Sequence, residues 1–112
     1  MSDGFTEADF WAVAEPLLMA ATVTRSTMMG LPCLRVSGRF FASFDRRATA
    51  LVVKLPEARV SELIQSGAAG PFAPSGRPFR EWASVDSGRS EIWSALLDEA
   101  LAFVVAQHVS GD

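Results

Sequence analysis

The sequence predicts an α+β fold: a two-layer sandwich in which helices pack on an antiparallel sheet, in the order α-β-β-β-α-β-α. Apolar residues recur with the helical period of about 3.6 residues near both ends of the chain and after Pro56. Between these segments, β-branched and aromatic runs alternate with turn residues, which is typical of strands. The length of 112 residues, 49% of them hydrophobic and 21% charged, predicts a single domain over residues 1–112.

The first helix is expected to begin at Thr6, because this residue can cap free N–H groups and Asp9 occupies the capping-box position. Six apolar residues are spaced to share one face of this helix: Phe10, Val13, Ala14, Leu17, Leu18 and Ala21. Pro16 lies within this stripe and should kink the helix or end it, since proline lacks the N–H that a helix needs. Residues 23–27 predict either a short edge strand or an extended link.

The following segments predict a three-stranded meander. Residues 33–36 and 39–44 flank Ser37-Gly38, a two-residue turn typical of a β-hairpin. Residues 50–55 form the third predicted strand after a polar tip. Short loops of this kind join antiparallel strands, so the three strands are expected to be neighbours in one sheet.

The two-residue turn also predicts a register, in which Leu34 lies opposite Phe41 and Arg35 lies opposite Phe40. Directly opposed residues share a face of the sheet, so both faces would carry apolar groups. Either both faces are covered, or one keeps its aromatic residues exposed.

A second helix is expected from Pro56 to Gly67, since proline suits the first helical position and glycine suits the end. Residues 67–80 are rich in Gly, Pro and small residues and predict a long irregular loop. A strand over residues 81–85 and a last helix from about residue 90 to about residue 108 complete the prediction. Six apolar residues of the last helix should face inward: Ile92, Leu96, Leu97, Ala100, Phe103 and Val104.

Three stretches resemble a known family. Residues 29–42 (MGLPCLRVSGRFFA) and 51–56 (LVVKLP) are similar to segments of the TfoX N-terminal domain family and the related MmcQ/YjbR family. Residues 71–82 (PFAPSGRPFREW) resemble the loop before the last strand of these small proteins. The resemblance spans about residues 8–105 and implies a secretion-chaperone-like or YjbR-like fold. It also implies an association with DNA binding or competence regulation, and it supplies no catalytic residues.

The charge is unevenly placed along a chain of net charge −3. Residues 1–24 and 90–112 each hold four acids and no base, whereas residues 25–89 hold all ten bases and five acids. Arginines beside aromatic residues are what a sheet that binds nucleic acid or another anion requires. The candidate anion-binding residues are Arg25, Arg35, Arg39, Arg46, Arg47, Lys54, Arg77 and Arg80. The alternative interpretation is an arginine-rich sheet surface balanced by acidic helices, with the loop arginines paired to nearby acids such as Glu81.

No catalytic centre, metal site or cofactor site is predicted, so we expect no enzymatic activity. Cys33 and His108 are single residues far apart, and a structural zinc site takes four nitrogen or sulfur ligands. Cys33 is expected to be a small buried hydrophobic residue, and His108 a residue that complements the helix dipole. A nucleophile elbow and a P-loop are both missing from the sequence.

The expected setting is the cytoplasm without membrane association, because the N-terminus is acidic and no apolar run reaches about 18 residues. The expected function is non-enzymatic binding of DNA or another polyanion through the basic sheet and loop. The alternative is a protein-interaction or dimerisation module, with a protein partner or self-association through exposed aromatic residues. Trp11 and Trp93, each next to an inward position, would lie at helix edges in that case.

Overall fold

The structure, a computed structural model, describes residues 6–28 and 30–110, except for the side chains of residues 108–110. Its elements are α1 (Glu7–Leu18), β1 (Val23–Met28), β2 (Leu31–Val36), β3 (Arg39–Asp45), β4 (Ala50–Lys54), α2 (Glu57–Ser66), β5 (Gly70–Pro71), β6 (Trp82–Asp86), a 3-10 helix (Ser87–Ile92) and α3 (Trp93–Ser110). The predicted α+β fold is confirmed. Two strands are added to the predicted order: β1, which the sequence left as strand or link, and β5, which lies inside the predicted irregular loop.

The six strands form one sheet in the order β1-β2-β3-β4-β6-β5, with every neighbouring pair antiparallel. The predicted meander is therefore present as β2-β3-β4. After β4 the chain leaves the sheet and forms α2. It then returns as β5, the edge strand beside β6. The β2–β3 turn and the β5–β6 loop lie at the same end of the sheet, which we call the hairpin end.

The three helices lie on the same face of the sheet. Phe10 of α1 stacks on Phe44 of β3 with ring centroids 5.7 Å apart, and Phe44 lies 6.4 Å from Trp93 of α3. Arg59 of α2 pairs with Glu99 of α3 at 2.9 Å, which ties the remaining helix to the same layer. The opposite face carries no helix of the described residues, and we call it the helix-free face.

The predicted hairpin turn at Ser37-Gly38 is confirmed. Both residues have left-handed backbone conformations, with φ of 51° and 84°, the requirement of a type I′ turn. Arg35 lies opposite Phe40, as predicted, but the predicted pairing of Leu34 with Phe41 is wrong, because Leu34 lies opposite Ala42.

A β-bulge explains this difference. The register shifts between Leu34 and Arg35, so β3 contributes one residue more than β2 at this point. Phe41 and Ala42 are adjacent in sequence, yet both belong to the core, with 0% and 1% of their surfaces exposed. The bulge therefore buries Phe41 under the helices and leaves Phe40 on the helix-free face.

The helix boundaries follow local chemistry. The backbone N–H of Thr6 donates to Oδ2 of Asp9 at 2.8 Å, as the capping box predicts. α1 ends two residues after Pro16, which accords with the helix-ending alternative. α2 ends at Gly67, whose φ of 80° is left-handed and whose N–H donates to the carbonyl of Ile64.

The predicted position of Trp93 at a helix edge is wrong. Its side chain is fully buried, and its Nε1–H donates to the carbonyl oxygen of Asp86 at 3.3 Å. α3 begins at Trp93, three and four residues before the buried Leu96 and Leu97, so Trp93 belongs to the inward stripe rather than to its edge. Trp11 is half-buried, as an edge position requires.

Candidate anion-binding face

Four large side chains from four neighbouring strands line up across the helix-free face at its hairpin end. Arg35 of β2 lies opposite Phe40 of β3, and Lys54 of β4 lies opposite Trp82 of β6. Cations and aromatic rings therefore alternate across the sheet. We call these four residues the basic row.

The register places the basic row away from the helices. Successive side chains on a strand point to opposite faces. The sequence neighbours of the four residues are buried in the core under the helices: Leu34, Phe41, Val53 and Ala83. The basic row therefore points to the helix-free face, and each of its members is half-buried rather than exposed.

Each cation of the basic row lies against an aromatic ring. The guanidinium carbon of Arg35 is 4.3 Å from the ring centroid of Phe40. The Nζ of Lys54 is 6.0 Å from the ring of Trp82, near the outer limit of a cation–π contact, and 4.0 Å from a carboxylate oxygen of Glu81. Both cations therefore contact aromatic rings on this face, and Lys54 also forms a long ion pair with Glu81.

Arg35 also carries an unsatisfied hydrogen-bond donor. Its Nε is buried and has no acceptor among the described residues. Leaving a buried donor unpaired costs about 1–3 kcal/mol, so buried donors are normally paired. An acceptor supplied by a ligand, with a small rotation of the Arg35 side chain, would remove this cost.

A second row of small residues runs beside the basic row. Its members, from β1 to β6, are Ser26, Cys33, Ser43, Val52 and Ser84. Ser43 donates its hydroxyl proton to the carbonyl of Pro32 at 3.1 Å. Cys33, Ser43 and Val52 are at most 3% exposed, so these short side chains form a buried row and not an open channel.

Cys33 is fully buried within the small-residue row, in accord with its predicted role as a small buried residue. Burial raises the pKa of its thiol above the ordinary value of 9.0. The hydrogen bond with Ser26 and the charge of Arg35 act in the opposite direction and are smaller effects. The thiol is therefore protonated at neutral pH.

Acids occupy the other end of the helix-free face. Asp45 of β3 and Asp86 of β6 both lie opposite Ala50 of β4, on either side of it. The cations of the basic row therefore lie at the hairpin end, and Asp45 and Asp86 lie at the far end, where Arg46, Arg47 and Arg89 are also found.

The remaining predicted residues divide between the two ends of the sheet. Arg39 lies beside the hairpin turn opposite Val36, and Arg77 and Arg80 belong to the β5–β6 loop. Arg80 makes a weak ion pair with Glu57 at 3.8 Å. These three arginines join Arg35 and Lys54 at the hairpin end, so five of the eight predicted residues share one end of the sheet.

Three predicted residues lie elsewhere. Arg25 lies on the helix side, with its guanidinium carbon 4.7 Å from the Trp11 ring. Arg46 belongs to the β3–β4 turn at the far end, where it pairs with Glu7 of α1 at 3.4 Å and donates to the carbonyl of Gly30 at 3.0 Å. Arg47 lies in the same turn. The structure therefore does not bring these three to the basic row.

An apolar groove that was not predicted from the sequence lies between α2 and the β5–β6 loop. The groove encloses about 230 Å³. Its apolar lining consists of Val60, Ile64, Pro71, Pro78, Phe79 and Trp82. Ile64 and Phe79 are 38% and 45% exposed, so the groove opens to solvent beside the end of the basic row. The Pro78-Phe79 pair in a polar loop is the one sequence signal that could have indicated it.

Within residues 6–28 and 30–110, no group of three or more His, Cys, Asp or Glu side chains is placed to hold a metal ion. The side chain of His108 lies outside the described residues, so its predicted role at the helix end stays a prediction. No helix in the described part of the chain is long and apolar enough to cross a membrane.

Comparisons with protein-family models, curated proteins and solved structures find no match to this chain. The geometry of the face therefore supplies the argument about function.

Proposed function

We propose that this chain is a non-enzymatic domain that binds nucleic acid or a comparable polyanion through the basic row and the adjoining loop. The observation that carries the proposal is the alternation of Arg35, Phe40, Lys54 and Trp82 across four strands. Such an alternation offers positive charge for phosphates and planar surfaces for bases. The TfoX N-terminal and MmcQ/YjbR resemblance and a cytoplasmic location are part of the same proposal.

The charge balance at the hairpin end supports the proposal. Two of the five cations there, Lys54 and Arg80, pair with Glu81 and Glu57. Both ion pairs are long, at 3.8 and 4.0 Å, and the side chains of Arg80 and Glu57 are 79% and 58% exposed, so these pairs contribute little to stability. A phosphate group can therefore compete for these cations at small cost.

Fluorescence anisotropy of a labelled oligonucleotide, measured over a series of salt concentrations, tests the proposal. We expect affinity to fall linearly with salt on a double-logarithmic scale, because phosphate contacts release counterions. Arg35→Gln and Lys54→Gln should each weaken binding and lower the slope by about one unit. Arg59→Gln is the matched control, since it removes the same charge from the helix layer, where Arg59 pairs with Glu99.

Two outcomes would contradict the proposal. One is an absence of binding at about 50 mM salt, where phosphate contacts are strong. The other is an equal loss of affinity in Arg59→Gln and in the two variants of the basic row, because net charge rather than the face would then determine binding.

Self-association through the apolar groove is the second candidate function. Ile64 and Phe79 are exposed on the two sides of the groove, and the Glu57–Arg80 pair lies at its rim. In a two-fold dimer, Arg80 of each copy can pair with Glu57 of the other, so the rim is complementary to itself. Sedimentation equilibrium of the wild type and of Ile64→Asp tests this candidate: a wild-type monomer at high concentration would refute it.

A further inference from the structure

The basic row defines a path for an elongated ligand on the helix-free face. The basic row crosses from β2 to β6 and borders the small-residue row along its length. Adjacent strands are about 4.8 Å apart, so the basic row extends about 14 Å. A ligand that contacts all four residues of the basic row therefore runs across the strands rather than along them.

The charges on the face favour the same path. Arg35 and Lys54 stand on the basic row, whereas Asp45 and Asp86 lie at the far end of the face. A chain of phosphates that ran along the strands would pass from the cations to these acids. A chain that crosses the strands keeps its phosphates beside the cations.

The rings determine which polyanion fits. Trp82 is half-buried on this face, and the guanidinium carbon of Arg35 lies 4.3 Å from the centroid of the Phe40 ring. Nucleobases stack on aromatic rings and on guanidinium planes. In a duplex these base faces are covered by neighbouring pairs, and the bases are contacted only in a groove by a protruding helix or ribbon. The basic row lies within a sheet face and offers no such protrusion.

We infer that the helix-free face prefers single-stranded nucleic acid to duplex, with bases stacked on the Arg35–Phe40 pair and on Trp82 and phosphates beside Lys54. This inference rests on the proposed polyanion binding and adds the strandedness of the ligand. Each stacked base contributes about 1–3 kcal/mol by substitution, which corresponds to about a 5- to 150-fold change in affinity.

The test measures the anisotropy of a labelled oligothymidine and of a blunt duplex of equal length with the full chain. Phe40→Leu and Trp82→Leu should each weaken oligothymidine binding about 5- to 150-fold while the salt slope is unchanged, because stacking is lost and phosphate contacts remain. Phe40→Tyr keeps the ring and should keep the affinity. Trp11→Leu removes a ring from the helix layer and is the matched control.

The outcomes separate the two proposals. Duplex bound as tightly as oligothymidine by the wild type would overturn the preference for single strands while leaving polyanion binding in place. The same follows if both leucine variants, with folding verified by circular dichroism, bind oligothymidine as the wild type does. Salt-independent binding, or no binding of either nucleic acid, would overturn the proposed function and this inference with it.

Discussion

Arg59 of α2 and Glu99 of α3 form an ion pair with two parallel hydrogen bonds, Nε to Oε1 at 2.9 Å and Nη2 to Oε2 at 3.1 Å. The hydrogen bonds with Glu99, and next those with Glu62, hold the pKa of the Arg59 guanidinium above its ordinary value. Arg59 and Glu99 are 36% and 39% exposed, so solvent screens their attraction. The pair fixes the position of α2 against α3. α2 in turn connects β4, which carries Lys54, to β5 and the β5–β6 loop.

The first prediction concerns this pair. Arg59→Met and Glu99→Gln should each lower the free energy of unfolding by about 1 kcal/mol, the upper part of the range for exposed pairs, because the two-bond geometry is favourable. Urea denaturation of both variants and of the double variant gives the coupling energy. Glu62→Gln, which removes only an intrahelical partner, should cost less. A coupling energy of zero for Arg59 and Glu99 would contradict the prediction.

The second prediction concerns the β2–β3 turn. No atom lies within 4 Å of a Cβ added at Gly38, so Gly38→Ala is opposed only by the left-handed backbone at φ of 84°. That conformation costs an L-residue about 1–2 kcal/mol, and the free energy of unfolding should fall by this amount. Ser37 already carries such a cost at φ of 51°, so Ser37→Asn should recover on the order of 0.5 kcal/mol. Thermal unfolding measures both, and a stabilising Gly38→Ala would contradict the turn geometry.

The turn also marks the limit of what the sequence could predict. The left-handed preference of Ser37-Gly38 fixes the neighbouring pair of Arg35 and Phe40, so half of the basic row follows from local chemistry. The bulge directly beside this pair depends on how Phe41 packs under the helices, and periodicity contains no signal for it.

The other half of the basic row depends on long-range pairing. Lys54 and Trp82 are neighbours because β6 pairs with β4 after α2 and a loop intervene. Nothing in the local sequence of either strand specifies that order. The spacing of Trp93 to Leu96 and Leu97 did indicate its burial, but the predicted stripe was counted from Ile92, which the structure places in the 3-10 helix before α3.

The third prediction compares two tryptophans. Trp93→Phe should lower the free energy of unfolding by about 1–3 kcal/mol, because it leaves a void and deprives the Asp86 carbonyl of its donor. Trp11→Phe makes the same chemical change at a half-buried site, where Nε1 donates to a carboxylate oxygen of Glu7 at 3.1 Å. Its cost should be below about 1 kcal/mol, because water can replace the lost hydrogen bond. Equal losses in the two variants, by urea denaturation, would argue against the buried position of Trp93.

The fourth prediction concerns pH and Cys33. Burial raises the pKa of the folded thiol above 9.0, so below pH 9 the folded and unfolded chains both keep the proton and stability does not depend on this group. Above pH 9 the unfolded chain releases the proton first, so the free energy of unfolding should fall, by at most about 1.4 kcal/mol per pH unit, until the folded thiol also ionises.

The composition makes this dependence measurable. The chain has one Cys, no Tyr and a single Lys, Lys54, so few other groups release protons between pH 8.5 and 10. Urea denaturation at intervals over this range should give a declining stability for the wild type and a nearly constant one for Cys33→Ala, whose overall stability is shifted by a fixed amount. A thiol reagent at pH 8 should react with Cys33 only after unfolding, since the side chain is fully buried. Rapid reaction of the folded protein, or parallel pH profiles for the wild type and Cys33→Ala, would show that the thiol is not held in its protonated form by burial.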